Sequence, residues 1–365
     1  IYTLRKIIST MTMHLVAAAY RRQPSLLPNF QLISNQWSKS VSTLTDKTFL
    51  SLKSFSTPQS MGPNANVSCS SHLYIPRIQK EGNGASFVKA RLFSKSAELT
   101  DSPAVQLYQY HICPFCNITK SLMAYSKLDY DSVEVNPLTK AELKPWSGNY
   151  RRVPIAVVDG KQINGSEEII KAVLNLPTVN TYLNTRWAEE SKNTEDSSSK
   201  MDMQQFFESD NACRWVRFAA DDLAALLYPN ICGTLSDSYN AFGYVEDVDS
   251  FSGLQKVSIR YLGALAMHFA ASKIKKKRNI TDEKEALKLA LDNFECEGLK
   301  NGAKLFSSGI DTPDMGDVAV FGVLYSVRGL NAHSDSIQVR GGVVKAWYDR
   351  MNLQILGKEA EHRIK

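Results

Sequence analysis

The sequence predicts a small α/β domain followed by an all-α domain, and three observations predict it. Residues 104–178 alternate short apolar runs of strand period with helix-like segments. Residues 201–358 carry apolar side chains at three- and four-residue spacing. Between them, residues 179–200 end in a polar, serine-rich stretch without period, Ala188 to Lys200, which reads as a linker.

The elements follow in order. Ala104 to Tyr110 is the first strand, and Pro114 to Lys127 is a helix that opens directly after Cys113. Proline suits the first helical turn, where its missing N–H has no partner to lose. Asp131 to Asn136 alternates as a second strand, and Pro137 to Trp146 allows a short helix. Val153 to Val158 is an apolar strand, Asp159-Gly160 a tight turn, Lys161 to Asn164 the returning strand, and Gly165 to Ile170 opens another helix. The order β-α-β-α-β-β-α over about 75 residues is a thioredoxin-like layout. Pro154 beside a strand removes a ladder hydrogen bond, which a cis peptide bond after Val153 explains. Such a bend leaves the Val153 N–H and C=O available to an extended ligand.

Cys113-Pro114-Phe115-Cys116 carries the chemistry. A thiol at the mouth of a helix faces unpaired backbone N–H groups and the positive end of the dipole, and both stabilise thiolate over thiol. Cys113 is therefore the expected reactive sulfur. A zinc site needs a second pair of ligands, but Cys69, Cys213, Cys232 and Cys296 stand singly, so no metal is expected.

In the helical region, three apolar stripes read as core: Val216, Ala219, Leu223 and Leu226; Leu254, Val257, Tyr261, Leu265 and His268; and Leu287, Ala290, Leu291 and Phe294. His268 on such a stripe reads as a satisfied core histidine. Asp314-Met315-Gly316-Asp317 precedes the apolar run Val318 to Leu330, and Asp314 can accept from the Asp317 N–H as a helix cap. Trp347 and Tyr348 belong to a final helix. The basic run Lys273 to Arg278 ends a helix, where cations offset the negative dipole end. The acids Glu246, Asp247 and Asp249 cancel much of its field, so no nucleic-acid partner is expected.

The words Leu107-Tyr108-Gln109-Tyr110, Cys113-Pro114-Phe115-Cys116, Val133-Glu134-Val135-Asn136-Pro137, Val153-Pro154-Ile155 and Ser166 resemble one family. They resemble the glutaredoxin-like domain of the membrane-associated prostaglandin E synthase type 2 family, in the glutathione transferase superfamily. Ala220-Asp221-Asp222-Leu223, Tyr228-Pro229-Asn230 and the Asp314 to Asp317 cap extend the resemblance over roughly residues 104–352.

That resemblance implies an α/β thioredoxin-like N-terminal domain followed by an all-α glutathione transferase-like C-terminal domain. The cleft between them would hold glutathione and a small apolar co-substrate. It implies Cys113 as the catalytic cysteine and the Tyr110 hydroxyl as support for its thiol. Cys116 either resolves a mixed disulfide or packs. Phe115, Val153 and Pro154 correspond to glutathione contacts, and Ser166 to a serine holding the γ-glutamyl carboxylate at a helix start. Gly165 departs from the pattern, because an acidic residue is expected there to meet the glutathione amine; Glu167 and Glu168 are the nearest substitutes. The implied activity is isomerisation of a prostaglandin endoperoxide to prostaglandin E, with glutathione as cofactor and haem as a second one that some family members hold. Two alternatives stand beside it: a glutaredoxin-like thiol-disulfide oxidoreductase or glutathione transferase on other substrates, and a non-enzymatic glutathione- or haem-binding module. Transferase relatives are often homodimers.

Residues 1–93 are a different kind of polymer, with eleven Lys or Arg, two acids and twenty-one Ser or Thr. The chain's net +6 divides into +9 before Ser94 and −3 from there on. An acid-poor, Ser-rich, Arg-bearing leader reads as a disordered transit peptide, and Arg91-Leu92-Phe93-Ser94 resembles a matrix-type cleavage point. Mitochondrion is the expected destination, with chloroplast as the rival. No apolar run reaches the roughly 18 residues that span a bilayer, so no transmembrane segment is expected and peripheral membrane attachment stays open.

Overall fold

The structure is a computed structural model that describes residues 103–191 and 203–357. The expected leader over residues 1–93, Cys69, and residues 192–200 of the expected linker lie outside the described residues. Four strands form one mixed sheet in the order β2-β1-β3-β4. They are β1 (Val105–Gln109), β2 (Asp131–Glu134), β3 (Ile155–Val158) and β4 (Lys161–Asn164). β1 runs parallel to β2 and antiparallel to β3, and β3 pairs antiparallel with β4 across Asp159-Gly160, where both residues have positive φ. The helices α1 (Pro114–Tyr125) and α2 (Ser166–Leu174) lie on one face. This is the thioredoxin-like arrangement expected.

Two expectations fail here. The short helix expected over Pro137 to Trp146 does not form; Pro137–Tyr150 is a chain of turns whose amides bond back to Asn136, Lys140, Leu143 and Ser147. The segment has too few apolar side chains to bury a helical face, and Leu143 is its one buried apolar residue. The expected linker is helical at its start, because α3 (Pro177–Ser191) runs through it. Val179 and Leu183 anchor that helix, at four-residue spacing, in the main core.

The helical part begins with α4 (Met203–Phe207) and α5 (Asp210–Arg217), which passes through a π turn into α6 (Ala224–Cys232). Then come α7 (Leu235–Ala241), α8 (Gly253–Ser258), α9 (Ala264–Lys277), α10 (Glu283–Asn293), α11 (Met315–Tyr325) and α12 (Gly342–Leu356), if a three-residue helical turn at Asn331–His333 is left unnumbered. Of the three expected core stripes, the first and third face inward: Ala219, Leu223, Leu287, Leu291 and Phe294 are buried. The second does not. Leu254, Val257 and Tyr261 are 79%, 56% and 45% exposed, which makes them a solvent face. Between α8 and α9 a π turn at Ile259–Gly263 adds a residue to the helical turn, so the buried side passes instead through Ile259, Ala264 and Ala271. His268 is satisfied as expected, its Nδ1 lying 3.1 Å from the Cys232 carbonyl oxygen. Lys275, Lys276 and Lys277 end α9, where the dipole favours them.

One core joins the α/β and helical parts. α11 is buried on every side, which is why it shows no amphipathic period, and its most extensive packing is along α1. The contact is close because Gly322 has no side chain: a Cβ there would lie 2.7 Å from the Asn117 carbonyl oxygen and 2.8 Å from the Ile118 Cα. Gly322→Ala is expected to destabilise the fold by about 1–3 kcal/mol. It is also expected to slow alkylation of Cys113, since the displaced residues form the first turns of α1. Urea unfolding with thiol labelling checks both, and unchanged values would show that the helices separate without consequence.

Candidate functional site

β1 ends at Gln109, and the chain turns through Tyr110-His111-Ile112 before α1 begins. The turn closes with the Cys113 N–H on the Tyr110 carbonyl at 3.0 Å. Asn117 fixes it from inside the helix, its Nδ2 donating to the carbonyls of His111 at 2.7 Å and Cys113 at 2.9 Å. Cys113 is the helix N-cap in extended conformation, and Pro114 occupies the first turn. At that N-cap position the Cys113 sulfur lies beside the first-turn N–H groups of Phe115 and Cys116.

Both cysteines are thiols, and the structure distinguishes them. Both are buried, but Cys113 keeps 8% of its surface exposed and Cys116 none. A hydrogen bond from the Cys116 thiol draws the Cys113 thiol below its ordinary range, and the backbone N–H groups of Cys116 and Phe115 add to it against the opposing effect of burial. Burial pushes Cys116 far up, and giving its proton to Cys113 pushes it further. The two thiols are thus shifted apart, Cys113 toward the thiolate and Cys116 toward the thiol.

The other predicted residues are brought around this pair unequally. The Val153–Pro154 bond is cis, as expected from the sequence. Val153 stands outside the strands, and no backbone hydrogen bond is made by its N–H or C=O among the described residues. Phe115 is half-buried against the main core. Gly165 caps α2 with φ +86° and ψ 152°, and its N–H bonds the Pro154 carbonyl at 3.0 Å. That conformation is nearly closed to residues with a Cβ, which gives a physical reason for glycine where an acidic residue was expected. Ser166 is the first residue of α2 and half-buried. Glu167 and Glu168 do not replace the missing acid: both are exposed and turned to Lys171, at 2.9 and 3.1 Å. Tyr110 packs against the cluster of Val135, Leu143 and Ile155, and its phenol lies close enough to Cys113 and Cys116 to feel their charge. Burial holds that phenol well above its ordinary range.

Sequence reasoning missed a buried polar layer beneath the thiols. Glu134, at the end of β2, accepts the His111 N–H at 2.9 Å and a bond from Tyr244, whose ring stacks on His111 at 5.6 Å. Burial pushes the Glu134 carboxyl up to about 7 and the His111 imidazole down to about 4, the latter helped by Lys120. Tyr228, from α6, is a phenol held protonated by burial and by its closeness to both cysteines. The Val-Glu-Val-Asn-Pro and Tyr-Pro-Asn words contained Glu134 and Tyr228, but an isolated acid and tyrosine announce no burial. Among the described residues no cluster of three or more His, Cys, Asp or Glu could hold a metal ion, and no helix is long and apolar enough to cross a membrane. A groove of about 660 Å³ on the helical part, between Phe218, Leu226 and Ala290, shares no residue with the thiol site.

The raised Glu134 sets a pH dependence. Its folded pKa lies above the unfolded value, so folding retains a proton, and the stability this contributes is present below about 4.5 and lost as pH rises through about 7. His111 runs the other way: its contribution is present above the ordinary 6.5 and lost as pH falls through about 4. Glu134→Gln keeps the acceptor for the His111 N–H and removes only the first trend. The variant should gain about 3 kcal/mol on wild type between pH 4.5 and 7.5. Urea unfolding across that range measures it, and parallel curves would contradict the burial of this carboxyl.

Three comparisons bear on the chain. The glutaredoxin family model matches residues 105–163, which span β1 to β4. Prostaglandin E synthase 2 of Danio rerio is 30% identical over 287 residues, 71% of this chain and 73% of that one. Prostaglandin E synthase 2 of Mus musculus is 27% identical over 304 residues, 76% of this chain and 77% of that one. Among solved structures, glutathione transferase F7 from Populus trichocarpa resembles it with a TM-score of 0.41 at 14% identity, over 72% of this chain and 100% of that one. The last likeness is too loose to bear on the site.

Proposed function

Because the chain belongs to the prostaglandin E synthase 2 family, we propose that it is a glutathione-dependent isomerase that converts a prostaglandin endoperoxide to prostaglandin E, with Cys113 as the reactive thiolate. The single observation that carries this reading is the asymmetry of the thiol pair, in which Cys116 donates to Cys113 and Cys113 alone keeps exposed surface.

The proposed reaction consumes no oxidant. Cys113 sulfur attacks one oxygen of the strained O–O bond, which breaks and leaves the other oxygen as an alkoxide that takes a proton. Loss of the proton from the carbon bearing the sulfur-bound oxygen forms the ketone, breaks the S–O bond and returns the thiolate. Tyr228 and Tyr110, whose phenols burial keeps protonated beside the thiols, are groups able to donate a hydrogen bond to a developing oxyanion.

The residues present fit glutathione. The unpaired Val153 N–H and C=O suit its peptide backbone, the first amides of α2 at Ser166 suit a carboxylate, and Phe115 and Pro154 supply an apolar wall. Bound there, glutathione supplies a second thiol. Its amine meets no acid at Gly165, so affinity should rest on the carboxylate and backbone contacts. No step here runs through haem, and a homodimer, peripheral membrane attachment and mitochondrial targeting by residues 1–93, with chloroplast as the rival, belong to the same proposal.

A second reading is favoured by the Cys116 to Cys113 hydrogen bond itself: a dithiol oxidoreductase, in which Cys116 displaces a thiol from Cys113. Product analysis separates the two. The isomerase reading expects prostaglandin E from endoperoxide well above the uncatalysed rate; turnover at background, with a glutathionylated peptide reduced efficiently, would replace it by the second.

A further inference from the structure

Lys120 is used by neither the fold nor the chemistry so far assigned. It lies in α1 with 1% of its surface exposed, and its Nζ has no hydrogen-bond partner. Methionine would fill the same space without burying an amine, and an uncompensated cation is among the least favourable groups a core can hold. Packing therefore does not account for it.

Its position does. It follows Cys116 by four positions, and helical side chains lean toward the N-terminus, so the Lys120 chain lies over the turn that carries Cys116. Glu134 borders the same space: it pairs in register with Gln109, whose side chain is buried beneath α1 with an unpartnered Oε1. Burial favours the amine of Lys120, while Cys116, Glu134 and Cys113 favour its ammonium form. His111, from the turn before α1, feels the same charge, and no group of α2 or α11 is among those that shift Lys120. A buried amine without a hydrogen-bond partner, one helical turn from a thiol, is placed to accept that thiol's proton.

We propose that Lys120 is the proton acceptor of Cys116, taking the thiol proton as the Cys116 sulfur attacks a mixed disulfide on Cys113, with the Glu134 carboxylate holding the ammonium that results. The step balances. Cys116 loses a proton to Lys120 Nζ, a Cys116–Cys113 S–S bond forms, the bond from Cys113 to the outer sulfur breaks, and that sulfur leaves as thiolate. The inference rests on the thiol chemistry proposed for Cys113.

The test uses the whole chain and an aromatic disulfide as oxidant. Samples quenched in acid and mapped by peptide mass give the formation of the Cys113 mixed disulfide and its closure onto Cys116 separately from the other cysteines. Closure in Lys120→Met is expected to be at least tenfold slower at pH 7, with its pH midpoint moved upward, while mixed-disulfide formation keeps its rate and urea unfolding shows a protein at least as stable as wild type. Glu134→Gln, which removes the carboxylate that favours the ammonium, should also slow closure, and it carries the test if Lys120→Met does not fold. Closure with wild-type rate and midpoint in both variants overturns the role of Lys120 and leaves Cys113 standing. Failure of Cys113 to form a mixed disulfide at all overturns both.

Discussion

Replacing Cys113 by serine is expected to lower turnover by on the order of 10³-fold or more, with the fold unchanged. Serine fits the N-cap position, so α1 should form as before. What goes is the ionisable sulfur: a hydroxyl stays protonated, whereas the Cys116 thiol and the helix amides favour the thiolate form of Cys113. Cys116→Ser should be far milder for isomerisation, since its hydroxyl can still donate to Cys113, yet it should abolish closure of the pair. Rates for both variants on endoperoxide and on a mixed disulfide test this. Equal loss in the two would mean that the pair acts only as a dithiol.

The second large effect concerns stability. Asp317 is fully buried and gathers the Ser307 N–H at 2.9 Å, the Trp347 indole N–H at 2.8 Å and the Asp314 N–H at 3.3 Å. Asp314 in turn accepts the Asp317 N–H at 3.1 Å, completing the capping box of α11. Asp317→Ala strands at least three buried donors at once, each costing about 1–3 kcal/mol. The expected loss, about 4 kcal/mol after partial relaxation, is a large share of a domain's stability. Asp317→Asn should recover part of it through its carbonyl oxygen. Since α11 carries α1, loss of the cap should also lower Cys113 reactivity well before global unfolding. Denaturant unfolding of the two variants is the check, and a loss below about 1 kcal/mol for the alanine would contradict the network.

What the sequence disclosed, and what it hid, divide along physical lines. The strands, the helix start at Cys113, the cis bond before Pro154 and the Asp314–Asp317 cap were legible because each depends on a local rule about period, proline or capping. The outward face of Leu254, Val257 and Tyr261 was not, because one π turn re-phases the helix and changes which side the same spacing presents. The turns of Pro137–Tyr150 and the start of α3 were misread because composition there contends with tertiary packing. The buried layer of Lys120, Glu134 and His111 was hidden for a different reason. A charged residue in a helix normally faces water, and only α1 packed between sheet and α11 reveals that this one does not.

The central claim is that Cys113 is held as an anion at the mouth of α1. It is tested most directly by the pH dependence of Cys113 alkylation, followed by peptide mass, with and without glutathione. The expected result is a midpoint below the ordinary thiol value near 8.5, well separated from that of Cys116, and protection when glutathione is added. A midpoint at or above that value, unchanged by glutathione, would contradict it.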